Sequence, residues 1–341
     1  MHINENVLIL KDVSAGSNAI TLLVKKDKKF YRKYAFDVEA EKLKTQIRWI
    51  EEHQKDVPLP LILNKENELS YTIYDMPMYE SAMSMFQFIH TVPIEKSWSV
   101  LGTALKDIDE GLHKKNIKPS DKNTIDNYIC CKVYGNVRKI LENKYIVDLE
   151  RNENIIVNGR KLPTLHTYRE MLSGDYLYKV FEKDIYADIH GDLSIENIVC
   201  FCDNYDNANL QGLYPKGYYF IDPNSDNIHN SPFLDYAKLL QSLHGNYEFL
   251  MKVSDVSIKE SSVEYMVMKS QQYDAIYHKY QEFLKNKYTK TQLLSIYYHE
   301  IVHWIRLLPY KNMKNEKLAV VFYTGLLNVL FDVWELENGK R

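Results

Sequence analysis

The hydrophobic period changes once along this chain, and that change limits the folds open to it more than any other feature. Residues 19–36, "AITLLVKKDKKFYRKYAF", are two β-rich runs around the charged turn Lys26-Asp27-Lys28, which predicts a hairpin. "DVEAEKLKTQIRWIEEH" follows with Leu43, Ile47 and Ile50 at helical spacing and Asp37 at the expected N-cap. "VPLP" at 57–60 closes that helix, and "ELSYTIYDMPMY" predicts a strand running into a connector at Met76-Pro77. Beyond residue 78 the spacing is mostly helical, through 97–116, 122–146 and 257–310. The exception is a β-like pair, "NIVCFCD" and "GYYFIDP", joined by a long polar loop. Strands first and helices after predict an α+β fold in two lobes, 1–78 small and built on an antiparallel sheet, 79–341 larger and mainly helical.

A chain of 341 residues is long enough for two sizeable cores. Its net charge of −3 is spread without a basic block, so neither a nucleic-acid surface nor a polybasic membrane surface is expected. Cysteines at 130, 131, 200 and 202 lack the Cys-x-x-Cys spacing of zinc or redox pairs and read as reduced thiols. The start "MHINENVLILKD" has no signal-peptide pattern, which points to the cytoplasm. The apolar tract Leu318 to Trp334 is interrupted by Gly325, Asn328 and Asp332 and predicts a buried helix rather than a membrane span.

"HGDLSIEN" at 190–197 carries the chemistry. Phosphoryl transfer asks a protein mainly for a placed acceptor, metal ions against developing charge and a fixed nucleotide. An Asp five residues before an Asn, on a loop entering a strand, aims a carboxylate at an acceptor hydroxyl and an amide oxygen at magnesium. Asp222, at the end of the partner strand in "FIDP", supplies the second hard oxygen ligand. Asp and Asn also favour ordinary turns. The complete spacing, however, arises by chance in a chain this long only about 2 times in 1,000.

These residues resemble the aminoglycoside phosphotransferase and choline kinase family, whose fold is bilobal and protein-kinase-like. The resemblance implies Asp192 as catalytic base, Asn197 and Asp222 as magnesium ligands, and His190 as a residue shaping the loop. It further implies Asp235, in "SPFLDYAKLL", as the group bracing that loop. "KFYRKYAF" and the helix after it resemble the strand lysine and helix glutamate that meet above ATP. Lys33 is preferred to Arg32 because strand neighbours face opposite ways, and Glu41 to Glu39 on the family's Glu-x-Glu pattern. "YTIYDMPMY" is similar to the adenine-holding connector, and since Pro77 has no N–H, Met76 or Met78 is the expected donor. "DVSAGSNAI" has only Gly16, so phosphate contacts would fall to Gly16, Ser14, Ser17 and their amides. The cofactors implied are ATP and Mg2+, and the partners a nucleotide and a small-molecule acceptor.

A competing motif lies at His299-Glu300-x-x-His303, the zincin spelling of a zinc metalloprotease. Three fixed residues arise by chance about 4 times in 100 in such a chain. The same helix places His299, His303 and Arg306 on one face, as acceptor contacts or simply as packed, satisfied side chains. Residues 223–341 hold thirteen Asp/Glu against fourteen Lys/Arg, without the acidic excess a polycationic aminoglycoside calls for. A sugar, sugar derivative or other metabolite hydroxyl fits as acceptor at least as well, and "SMFQFIHTVP" and "RLLPYK" resemble phosphotransferase-family members of surface-polysaccharide pathways. Choline or aminoglycoside kinases, protein kinases and nucleotide-binding pseudokinases are the neighbouring readings.

Overall fold

The computed structural model describes residues 6–14, 19–202 and 212–339. A five-stranded antiparallel sheet opens the chain: β1 (Leu8–Asp12), β2 (Ile20–Lys25), β3 (Lys29–Phe36), β4 (Asn64–Asn67) and β5 (Tyr71–Pro77), in the order β1-β2-β3-β5-β4. The hairpin expected around Lys26-Asp27-Lys28 joins β2 to β3. Between β3 and β4 runs α1 (Asp37–His53), which buries Ala40, Leu43, Ile47, Trp49 and Ile50 against β3 and β5.

Asp37 is not the cap. Phe36 ends β3 and precedes the helix with extended backbone and no side-chain capping bond. Asp37 instead turns the corner at φ 50°, its N–H donating to the Ser70 carbonyl. Strand and helix abut here with no linker to hold a capping residue.

The chain then becomes helical. One further strand, β6 (Ala82–Ser84), joins the pair Ile198–Phe201 and Tyr218–Phe220 in a three-stranded antiparallel sheet beside the site. Two long helices, Lys290–Lys314 and Glu316–Glu337, pack as a hairpin through Asn315, whose side chain caps the second. Glu316–Glu337 is, among the described residues, the one helix long and apolar enough to cross a membrane, yet twelve of its residues, from Ala319 to Val333, are buried in the protein core.

The helical reading of 257–310 holds only from Gln271 onward. Ser257–Lys259 and Ser262–Glu264 form a hairpin that pairs with Asn154–Val157, in parallel, to complete a four-stranded sheet with Arg160–Pro163. Within 122–146 the helix is broken by a π-helical turn at Ile129–Tyr134, and a second π-helical turn, Asp109–His113, ends the helix Ile94–Ile108.

Candidate active site

The loop 190–197 is held from below. Asp235, fully buried on the helix Phe233–Leu243, accepts the His190 N–H at 2.9 Å and the Gly191 N–H at 2.7 Å. Its Oδ2 also meets His113 Nε2 at 2.9 Å, and His113 Nδ1 meets Asp109 at 3.1 Å, so one π-helical turn feeds the brace. Gly191 has φ 78°, and a Cβ there would stand 2.3 Å from both the Asn224 carbonyl oxygen and Asn227 Nδ2. Only glycine fits.

His190 is buried and its Nε2 lies 3.0 Å from the Ile221 carbonyl, which assigns the ring proton to Nε2. Burial lowers its pKa below the ordinary imidazole value, so the ring is neutral and structural at pH 7. The imidazole thus ties the loop to the strand end bearing Asp222. Ile198 faces Phe220 across the ladder, and the Ile221 N–H donates to the Asn197 carbonyl at 3.0 Å. Asn197 and Asp222 consequently leave the same end of adjacent strands.

Asn197 Nδ2 donates to the Asp192 carbonyl at 2.8 Å and approaches Asp192 Oδ2 at 3.3 Å, turning the amide oxygen away from both. Asp222 adopts φ 55°, a left-handed conformation that Asp tolerates better than most residues. Its Oδ1 accepts from Lys33 Nζ at 2.8 Å. Two hard oxygen donors, one amide and one carboxylate, therefore come from the same end of one ladder, a donor set that suits magnesium.

Lys33 is buried on β3, while its neighbour Arg32 turns to the opposite face and grips Asp75 through two 2.8 Å bonds. The helix partner of Lys33 is not Glu41. The Glu41 side chain is 68% exposed and sits 3.7 Å from Lys44. Gln46 meets Lys33 instead, its Oε1 3.1 Å from Nζ and its Nε2 donating to the Pro223 carbonyl at 2.7 Å. Five helical steps place Glu41 about 140° around the axis from Gln46, so only one of them can face the strand.

Asp192, with 41% of its side chain exposed, receives Lys238 Nζ on Oδ1 at 2.9 Å. Burial pushes its carboxyl up, but the Lys238 ammonium, His190 and Arg306 outweigh that and hold the pKa below the ordinary aspartate value. Met76 is buried at the end of β5, before Pro77. Gly16 and Ser17 lie outside the described residues. Ser14 accepts the Thr21 N–H on its hydroxyl at 3.0 Å.

The helix Lys290–Lys314 corrects two expectations. His299 and His303 do not contact an acceptor, because both are buried: His299 Nε2 lies 2.7 Å from Asp184 and His303 Nε2 lies 3.1 Å from the Leu234 carbonyl. Nor do they form a zincin centre, since Glu300 pairs with His244 at 2.9 Å instead. His299 converges with His229 on Asp184, whose other oxygen accepts from Ser295 at 2.6 Å. Tyr128 and Tyr186 occupy the remaining ring nitrogens, so hydrogen bonds satisfy this cluster without an ion. Arg306, the third residue of that face, is only partly buried.

Several residues escaped the sequence reading. Lys238 follows Asp235 by three residues, the helical spacing that would have placed it on the same side. Gln46, His113, Asp184 and His229 carry no motif signal, because their partners are distant in sequence.

No protein-family model matches the chain, and no curated protein matches it by sequence. Solved structures do match in fold. One is a thermostable mutant of aminoglycoside phosphotransferase APH(4)-Ia, at TM-score 0.52 and 10% identity, covering 96% of this chain and 95% of that one. A second is a fructosamine-3-kinase-like protein from Haemophilus somnus 129PT, at TM-score 0.51 and 9% identity, covering 96% of this chain and 91% of that one. The fold is thus the kinase-like α+β architecture of these phosphotransferase structures.

Proposed function

We propose that the protein is a small-molecule kinase that transfers the γ-phosphoryl group of ATP to a hydroxyl of a metabolite. The observation that carries this reading is the convergence of Lys33 and Asp222, from two separate strands, on the braced loop that bears Asp192 and Asn197. The lobe boundary is placed near residue 78. Lys33, with Gln46 beside it, holds the nucleotide phosphates, and backbone around Met76 holds the base.

Asn197 Oδ1 and the Asp222 carboxylate are the groups that would hold magnesium, which neutralises phosphate charge when bound. Asp192 orients the acceptor hydroxyl and takes its proton as the bond to phosphorus forms. Its lowered pKa keeps it ionised throughout the neutral range. His190 and Asp235 fix the loop on which Asp192 stands. A sugar or sugar derivative is the proposed acceptor, and the unpaired cysteines suit a reducing cytoplasm.

Asp192→Ala tests the assignment. ATP binding by calorimetry should persist while ADP release with a panel of hydroxylated metabolites falls about 10²- to 10⁴-fold. Normal turnover in that variant would remove Asp192 from the reaction. Phosphate appearing only on proteins would favour a protein kinase, and nucleotide binding with no transfer at all would favour a pseudokinase.

A further inference from the structure

Basic side chains line the surroundings of Asp192. Lys238 comes from the helix Phe233–Leu243 and contacts Asp192 directly at 2.9 Å. Arg306 comes from the helix Lys290–Lys314, one turn past the buried His303, at the point where that helix face leaves the core. Lys132 comes from the π-helical turn Ile129–Tyr134, which packs against the same long helix. Neither the Arg306 guanidinium nor the Lys132 ammonium has a hydrogen-bond or ion-pair partner among the described residues, although both are partly buried.

These cations act on one another. Burial and the nearby Arg306 lower the Lys132 pKa. Lys311, on the same long helix, is pushed down to about 8 by burial and by Lys314 and Lys238, while its ammonium rests over the rings of Phe322 and Tyr247. The acids acting here are few: the exposed Asp226 has only a small charge effect on Lys132, and Asp192 is already paired with Lys238. Crowded cations with so little counter-charge repel, and a bound oxyanion would relieve that repulsion. Guanidinium and ammonium donors on two packed elements match the oxygens of phosphate or carboxylate.

Resting on the kinase reading, we infer that the acceptor is a hydroxylated molecule carrying its own oxyanion, a phosphate or a carboxylate, seated by Arg306 and Lys132 while Asp192 addresses its hydroxyl. An amine-rich acceptor would meet repulsion from the same walls. Placing the oxyanion away from Asp192 also leaves Lys238 to steady the base.

The test uses the full-length protein saturated with a non-hydrolysable ATP analogue. Ribose 5-phosphate, gluconate, ribose and kanamycin are titrated calorimetrically, and ADP release from ATP is followed with the same four. At least one anionic probe should bind and turn over at least about tenfold better than ribose and kanamycin. Arg306→Ala should lower affinity for that probe about 10- to 100-fold, with partial recovery in Arg306→Lys, and change ribose binding by less than about threefold. The stronger of the two anionic probes identifies phosphate or carboxylate as the source.

Failure of both anionic probes to bind, or an anionic-to-neutral ratio unchanged in Arg306→Ala, overturns the inference. ADP release with ribose or kanamycin alone would overturn it and leave the kinase reading standing. Anion binding lost in Arg306→Ala by a protein that binds no nucleotide would support the oxyanion site and overturn the kinase reading.

Discussion

Gln46 uses both ends of one amide to join the sheet-bearing part of the chain to the loop that follows Asp222: Oε1 faces Lys33 and Nε2 donates to the Pro223 carbonyl. A glutamate there would give Lys33 a stronger partner but face the Pro223 carbonyl with a carboxylate that cannot donate. The charge that balances Lys33 comes instead from Asp222. Gln46→Ala removes three hydrogen bonds, to Lys33, the Tyr74 hydroxyl and the Pro223 carbonyl, the first of them to a charged group, and should raise the ATP KM about tenfold. Glu41→Ala, a change on the solvent face, should leave it within about twofold. Steady-state kinetics on both variants decides the matter, and the larger effect at Glu41 would restore it as the partner of Lys33. The sequence could not separate them, because acids near the start of a helix favour its dipole wherever they face.

At the scale of the element, the loop 190–197 depends on a helix that passes beneath it. Asp235 satisfies two consecutive loop N–H groups, and Gly191 provides the left-handed turn that aims both at one carboxylate. Gly191→Ala would press a methyl group into the Asn224 backbone, which cannot swing aside as a side chain can. The left-handed strain alone is about 1–2 kcal/mol. The variant should lose at least that stability in urea denaturation and most of its transfer activity, whereas Gly102→Ala, which meets nothing within 4 Å, should lose neither. Unchanged activity in Gly191→Ala would show that the loop tolerates displacement. The sequence carried the loop because its spacing is local, whereas the Asp235 brace, 44 residues from Gly191, was legible only through the family resemblance. It carried the Asn158-Gly159 hairpin too, as an Asn-Gly pair between β-rich runs. The π-helical turns are different: no residue type specifies them, although one of them carries His113 to the Asp235 brace.

At the scale of the whole molecule, His244 connects three helices. It follows the last residue of Phe233–Leu243, places Nδ1 2.9 Å from Glu300 on Lys290–Lys314, and places Nε2 3.2 Å from Asp332 on Glu316–Glu337. Burial alone would lower its pKa, but the two carboxylates prevail and raise it to about 10. A folded value above the unfolded value of about 6.5 means that the charged ring stabilises the native state fully below pH 6.5. That contribution then declines as pH rises through about 10. Glu300→Gln takes away the main partner and leaves a buried ring facing Asp332 alone, which should cost about 3–5 kcal/mol at neutral pH. Urea denaturation of both proteins at pH 6.5, 8 and 9.5 isolates this interaction, because lysines and tyrosines titrating above pH 9 contribute equally to each. The stability gap should be widest at pH 6.5 and narrow toward pH 9.5. A gap that stays constant across this range would mean that His244 is neutral in the native protein, and the three helices would then be held by packing and uncharged hydrogen bonds alone.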